Sequence, residues 1–261
     1  PPGQGVDTAA LGTAVNRHEP AGLHLVSLRR TTHPEIEAAT HSQDRVPDNL
    51  RLQATQRHAV EEMAVAAIAG TVFLLLRAPS WPSRAAVVVF GLGLMALYTT
   101  SSLYHSIPWA EAWKKRMQRL DHSMIFVLIA ATFTPFAVIL FDGWLRWLCL
   151  AVCWGIAAFG IGHIAFFPRE QFNFSIALMT TLGWLSLPLM IPIANQAGWI
   201  TVGLLAAGGL LYTVGMVFLV TNRPRLWPRV FSYHELFHVF VVTASVVHFT
   251  AAYRYVVPLA A

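Results

Sequence analysis

The chain has 261 residues, of which 56% are hydrophobic and only 12% are charged, and its mean hydropathy is +0.54. Because an ordinary soluble domain carries about 25% charged residues, this composition excludes a soluble enzyme and predicts one integral membrane domain. The formal charge of +5 does not indicate a nucleic-acid partner. The Lys and Arg residues lie in short runs between apolar blocks, as the residues that fix membrane topology do.

The first 55 residues differ in character from the rest of the chain. They are rich in Thr, Ala, His, Pro and Arg and contain no long apolar run. We therefore expect residues 1–55 to form a disordered or loosely ordered tail and residues 56–261 to form the membrane domain. Since the tail lacks the apolar core of a secretion signal, we expect the first membrane helix to be retained.

The remaining apolar residues come in blocks of about 20, the length that a helix needs to cross a bilayer. The blocks predict an all-α bundle of seven transmembrane helices, at residues 58–77, 84–105, 121–141, 143–164, 173–194, 199–221 and 232–257. A very short turn must separate the third and fourth helices. Three prolines fall inside spans, where kinks are expected more than helix ends: Pro135, Pro188 and Pro192.

The distribution of positive charge predicts the orientation of the bundle. Basic residues precede the first span and fill the segments between the second and third and between the sixth and seventh spans, whereas the alternate segments carry few. The positive-inside rule then places the N-terminus in the cytoplasm and, after seven crossings, the C-terminus outside.

Four polar residues are predicted at the cytoplasmic ends of three spans: His105, Asp121, His234 and His238. The stretch HELFH, residues 234–238, sets two imidazoles one helical turn apart, so both can face one ion. Three neutral imidazoles leave the fourth position of a tetrahedral zinc ion for water. We therefore predict that Zn²⁺ is bound by the three histidines and that Asp121 holds the water and accepts its proton. Ser101, one turn before His105, can hydrogen-bond a ligand or the water.

Each member of this set has an alternative interpretation. A histidine at a helix end is often an interfacial residue, and His58 or His163 could replace a chosen ligand. His122 and His248 are interpreted as packing or interface residues. Asp121 could instead cap a helix or pair with a charge. In a zinc protease, the general base would be Glu235, which we interpret as a solvated or capping carboxylate.

Cys149 and Cys153 are the only cysteines, and their position four apart in one apolar block excludes a disulfide scaffold. We interpret them as lipid-facing or core residues. The tryptophans near the predicted span ends are typical of the aromatic belt of a membrane protein.

The motifs SSLYH (101–105), RLDH around Asp121 and HELFH (234–238), in this order on seven spans, resemble the hemolysin III family. That family belongs with the progestin and adipoQ receptors and, more distantly, the alkaline ceramidases. The resemblance covers about residues 55–258. It implies a multi-pass protein of the bacterial cytoplasmic membrane, with zinc on the three motif histidines and the motif Asp and Ser beside it. Many relatives carry Asn and His in the first span about where this chain has Val65 and Ala69.

These observations leave three functions open. The open zinc position favours hydrolysis of a lipid amide or ester that enters from the bilayer, with membrane lipid as substrate. A structural zinc ion that joins the second and seventh spans would instead indicate a non-catalytic protein of membrane homeostasis or signalling. The family name implies membrane lysis, for which these residues give little support.

Overall fold

The computed structural model describes residues 48–167, 171–224 and 232–260. Residues 1–47 of the predicted tail and the side chain of His58 lie outside the described part of the chain. All regular elements in the described part are helical, in chain order: α1 (Asp48–Arg77), α2 (Trp81–Ser106), α3 (Glu111–Leu140), α4 (Gly143–Phe166), α5 (Gln171–Trp184), α6 (Met190–Thr221) and α7 (Tyr233–Ala251). A 3₁₀ turn (Leu187–Leu189) precedes α6, and α7 continues into a π turn (Ala252–Val256) and a 3₁₀ turn (Val257–Ala260).

Five segments are long and apolar enough to cross a membrane: Trp81–Ser106, Glu111–Leu140, Gly143–Phe166, Phe174–Thr221 and Tyr233–Ala260. The prediction of an all-α fold with several helices that can cross a membrane is thereby confirmed. The fourth segment has 48 residues, about 72 Å if it were one straight helix, which is more than twice the apolar thickness of a bilayer. It is interrupted at Gly198, where φ is 81° and ψ is 162°, a conformation open to glycine and strained for other residues. This break falls between the predicted spans 173–194 and 199–221.

The helices extend beyond the predicted apolar blocks because polar residues at their ends also adopt helical structure. α1 begins at Asp48 and α3 at Glu111, each ten residues before the predicted span. α2 begins at Trp81, where Ser80 and Ser83 form a reciprocal capping box. The polar extensions at the starts of α1 and α3 contain residues of good helix propensity, which a search for apolar blocks does not detect.

The turn between α3 and α4 contains only Phe141 and Asp142, as the sequence predicted. Gly143 has a φ of 56°, which allows the reversal without a Cβ clash. Arg146 secures the turn by donating to the Phe141 carbonyl and to the Asp142 carboxylate, each at 2.7 Å.

The three prolines inside predicted spans do not behave alike. α3 continues through Pro135 without ending. Pro192 lies within the first turn of α6, where the backbone nitrogen has no partner within the helix, so that proline costs no hydrogen bond there. Pro188, by contrast, lies in the 3₁₀ turn that follows the end of α5. The expectation of kinks without helix ends is therefore wrong at Pro188.

α3 is the central element of the described bundle and packs against α2 and α4. Its Phe126 and Phe136 are fully buried. Small residues on the neighbouring helices permit this packing: a Cβ at Gly160 of α4 would overlap the Phe126 ring. Both cysteines of α4 are buried and free, in agreement with the core interpretation.

We expect Gly160→Ala to lower the thermal stability of the purified protein, because overpacking of a buried contact costs about 1–3 kcal/mol. Gly162→Ala is the matched control, since a Cβ at Gly162 meets no atom within 4 Å and Ala is the better helix former by up to about 1 kcal/mol. Thermal unfolding in detergent should show a lower Tm only for Gly160→Ala. Equal Tm values for the two variants would contradict the close packing of α3 on α4.

Candidate metal centre

Two of the three predicted ligands lie in the first turns of α7. Ser232 is the N-cap residue, and its backbone N–H donates to the Glu235 carboxylate at 2.9 Å as part of a capping box. The helix is thus fixed from Tyr233 onward, and the spacing of four places His234 and His238 on one face. Glu235 has the capping role that the sequence indicated.

The third ligand, His105, lies in the last turn of α2 and meets the α7 pair. The Nε2 atom of His234 lies 3.2 Å from that of His105 and 3.1 Å from that of His238. All three ligand atoms lie within 4.8 Å of one another. The structure therefore brings together the three histidines that the sequence selected.

The separations of 3.1 and 3.2 Å fit a shared metal ion, and the third pair of ligand atoms lies within 4.8 Å. For zinc–nitrogen bonds of 2.0–2.1 Å in tetrahedral geometry, neighbouring ligand atoms should lie about 3.3 Å apart. The set contains three imidazoles and no thiolate, a donor set that suits Zn, Cu, Fe or Ni. The site can therefore hold a metal ion, and its donor chemistry fits zinc among several transition metals.

Ser101 lies on α2, one turn before His105, and Asp121 lies on α3. Both side chains are buried, with exposed fractions of 8% and 4%. The Ser101 hydroxyl faces the Asp121 carboxyl but makes no hydrogen bond of standard geometry. Asp121 lies ten residues inside α3, so it does not cap that helix. Such an unsatisfied buried hydroxyl next to a carboxyl provides a polar position for a water or a substrate atom.

The three histidines, Ser101 and Asp121 all line one cavity of about 670 Å³. This size falls within the range of ordinary ligand sites. The rest of the lining is largely apolar and includes Leu128, Phe136, Met179, Leu182 and Met190. The cavity therefore combines a candidate metal site and a carboxyl group with a mostly apolar wall.

The alternative ligands do not join this cluster within the described part of the chain. His163 packs against aromatic rings, with its ring centre 4.5 Å from that of Phe174 and 5.5 Å from that of Phe167. His122 is half-buried and is not part of the metal-binding group. Val65 and Ala69 are exposed on α1 and do not line the cavity, so the apolar residues there leave its wall unchanged.

The structure also shows a second polar group that the sequence interpretation missed. Tyr98, Tyr212, Ser245 and His248 line the same cavity or lie beside it. His248 is buried and bonded to the Leu205 carbonyl, and it is not an interface residue. A pattern in the sequence could have indicated part of this group, because one face of α7 carries polar residues at 234, 238, 245 and 248, at intervals of three, four and seven.

Comparison with known proteins agrees with this geometry. The profile of the family described as "Haemolysin-III related" matches residues 57–249. Hemolysin-3 of Bacillus cereus is 34% identical over 200 residues, which cover 76% of this chain and 88% of that protein. The Hemolysin-3 homolog of Bacillus subtilis is 32% identical, covering 73% and 87%.

A human relative shares the same region. The monocyte to macrophage differentiation factor of Homo sapiens is 27% identical over 203 residues, which cover 74% of this chain and 79% of that protein. The match to the family profile, over residues 57–249, contains the three histidines. The chain belongs to the hemolysin III family.

Proposed function

We propose that this protein is a zinc-dependent hydrolase of lipid amides or esters in the bacterial cytoplasmic membrane. The observation that carries the proposal is the convergence of three imidazole Nε2 atoms, beside a buried carboxylate, at one end of a largely apolar cavity. A metal ion there would meet the polar end of a substrate, and the apolar chamber would hold its hydrocarbon chain. Membrane lipid is the substrate class that combines these two properties.

His105, His234 and His238 would hold the zinc ion. Bound by three imidazoles, zinc supplies a Lewis acid and water of lowered pKa for attack on a carbonyl. Asp121 lies within the same cavity and accepts the proton of the attacking water. The Ser101 hydroxyl, which faces Asp121, has one hydrogen and would donate it to the substrate oxygen.

The wall of the cavity supports entry from the bilayer. Val239 and Thr243 of α7 line the cavity and are also exposed on the outside of the helix. Across from them, the wall is formed by α5 residues such as Thr180 and Gly183. α5 packs mainly against α4, so we propose that a lipid chain enters between α5 and α7.

The proposal includes seven spans with the metal site on the cytoplasmic side. α1 would be the first span, and the break at Gly198 would separate the fifth from the sixth. The metal ligands lie at the end of α2 and the start of α7, close to the basic segments that the positive-inside rule assigns to the cytoplasm.

This topology predicts which positions an impermeant thiol reagent can reach. In a variant with Cys149→Ala and Cys153→Ala, a cysteine in place of Pro258 should react in intact cells because the C-terminus lies outside. A cysteine in place of Lys114 should react only after permeabilisation. The opposite pattern would place the site on the other side of the membrane.

A structural role for the metal is the second candidate, and one observation favours it. α2 packs chiefly against α1 and α3, whereas α7 packs chiefly against α6. Coordination by His105 and the α7 pair would therefore join two helices that otherwise have different neighbours. In this case the metal would stabilise a bundle that serves membrane homeostasis or signalling without hydrolysis.

We expect the purified protein to bind close to one zinc ion per chain, and His238→Ala to lose most of it because a three-ligand site would become a two-ligand site. The control is His163→Gln, which changes a histidine that packs among aromatic rings away from the cluster. Elemental analysis after exhaustive dialysis measures the zinc content of the wild type and of both variants. Equal zinc content in wild type and His238→Ala would exclude His238 as a ligand.

Asp121→Asn should lower the rate of lipid hydrolysis by about 10²- to 10⁴-fold while zinc remains bound, because the substitution removes a proton acceptor and no ligand. Glu235→Gln is the matched carboxylate control and should change the rate little, since Glu235 caps α7. Turnover of a panel of lipid amides and esters, measured together with zinc content, tests this prediction. A collapse of activity in Glu235→Gln alone would indicate the protease arrangement.

The same preparations separate the two candidate functions. If the wild-type protein hydrolyses no lipid amide or ester but loses thermal stability when zinc is removed, the structural role is correct. If hydrolysis is found and depends on Asp121, the catalytic role is correct.

A further inference from the structure

A second buried polar group lies along the cavity, away from the three histidines. It consists of Tyr98 on α2, Tyr212 on α6, and Ser245 and His248 on α7, and we call it the tyrosine–histidine cluster. His248 is ten residues beyond His238 on the same helix, which corresponds to about 15 Å along the axis. The proposed hydrolysis makes no use of this group.

The hydroxyl hydrogens of Ser245 and Tyr212 are already committed. The Ser245 hydroxyl donates to the Val241 carbonyl at 2.9 Å. Tyr212 Oη lies 2.9 Å from Ser245 Oγ, so the tyrosine is the donor in that contact. The Tyr212 oxygen therefore keeps lone pairs, while its hydrogen is directed to Ser245.

The imidazole of His248 presents an acceptor as well. Its Nε2 atom lies 3.2 Å from the Leu205 carbonyl oxygen, which can only accept, so Nε2 carries the hydrogen. In a neutral ring, Nδ1 then has a free lone pair. This Nδ1 atom is buried and has no hydrogen-bond partner. The ring is also held in place, because a Cβ on Gly208 of α6 would overlap it.

The free Nδ1 lone pair of His248 and the Tyr212 oxygen, whose hydrogen is already used, recognise a hydrogen-bond donor and have no hydrogen to offer a carbonyl or a carboxylate. Buried polar atoms in proteins are normally paired, so the unpaired Nδ1 indicates a missing donor. The surrounding wall is apolar, which suits a hydrocarbon chain with one polar substituent. We infer that the tyrosine–histidine cluster is a binding subsite for a hydroxyl group on the hydrocarbon chain of the lipid that occupies the cavity.

This inference rests on the proposed function, because the polar end of the lipid is taken to lie at the three histidines. The separation of about 15 Å between His238 and His248 then fixes the position of the hydroxyl on the chain. With C–C bonds of about 1.5 Å in a zigzag chain, that distance corresponds to roughly a dozen carbons. A fatty acid hydroxylated near its twelfth carbon matches both ends of the cavity.

The test compares the binding of stearic acid, 12-hydroxystearic acid, 12-oxostearic acid and 2-hydroxystearic acid to the full-length, zinc-loaded protein in detergent. Displacement of a fluorescent fatty acid measures affinity without requiring turnover. One added hydrogen bond should make 12-hydroxystearic acid bind about 3- to 10-fold more tightly than stearic acid. The 12-oxo acid places an acceptor at the same carbon and should bind no more tightly than stearic acid, and the 2-hydroxy acid should also show no gain.

Two variants assign the effect to the cluster. His248→Phe keeps an aromatic ring but removes Nδ1, so it should abolish the preference for the 12-hydroxy acid while stearic acid binds as before. Thr243→Val is the matched control on α7, since Thr243 also lines the cavity but lies five residues nearer the histidines and donates to its own helix at Val239. It should keep the preference.

The outcomes separate this inference from the proposed function. Equal affinity of wild type for stearic and 12-hydroxystearic acid, or equal gains from the hydroxy and oxo acids, would overturn the hydroxyl subsite and leave the hydrolase proposal standing. Failure of all four acids to bind would overturn both. If His248→Phe does not fold, the comparison of the four acids on the wild-type protein still decides the question.

Discussion

The contact between His105 of α2 and the histidine pair of α7 is the interaction on which the rest of the site depends. His105 Nε2 lies 3.2 Å from His234 Nε2 and thereby joins two helices that pack chiefly against different neighbours, while His234 Nε2 lies 3.1 Å from His238 Nε2 within α7. Without a shared ligand, three polar rings at this position would gain little from approaching one another in a mostly apolar bundle. A metal ion would give this convergence a physical reason, because coordination satisfies all three nitrogen atoms at once.

The central helix α3 provides the rigid side of the site. Phe126 and Phe136 anchor it in the core, and close contacts with glycines of the adjacent helices leave no room for it to shift. Asp121 is therefore held by a well-packed helix. A carboxyl group fixed in this way suits the role proposed for it beside the three histidines.

Polar groups buried in an apolar bundle are costly unless they are paired, and this protein buries them at both ends of one cavity. At one end are Ser101, Asp121 and the three histidines, and at the other is the tyrosine–histidine cluster. Each end contains a buried atom without a partner in the described structure, Ser101 Oγ and His248 Nδ1. The unsatisfied atoms mark the two positions at which a ligand would complete the hydrogen bonding.

The sequence by itself determined the membrane class, the helical fold, the family and the shared helix face of His234 and His238. The class, the fold and this shared face follow from local rules: apolar blocks need the length of a bilayer, and residues four apart share one helix face. The sequence predicted His105 on the same side of the membrane, but its contact with His234, 129 residues away, depends on the tertiary structure. Hydropathy did not give the true helix starts at Asp48 and Glu111, because polar residues extend a helix without making it apolar. It also could not reveal that α5 ends before Pro188, since the same proline can kink a helix or follow its end. Only the tertiary structure joined Tyr98, Tyr212, Ser245 and His248, because these residues lie up to 150 positions apart and their contact depends on how three helices pack.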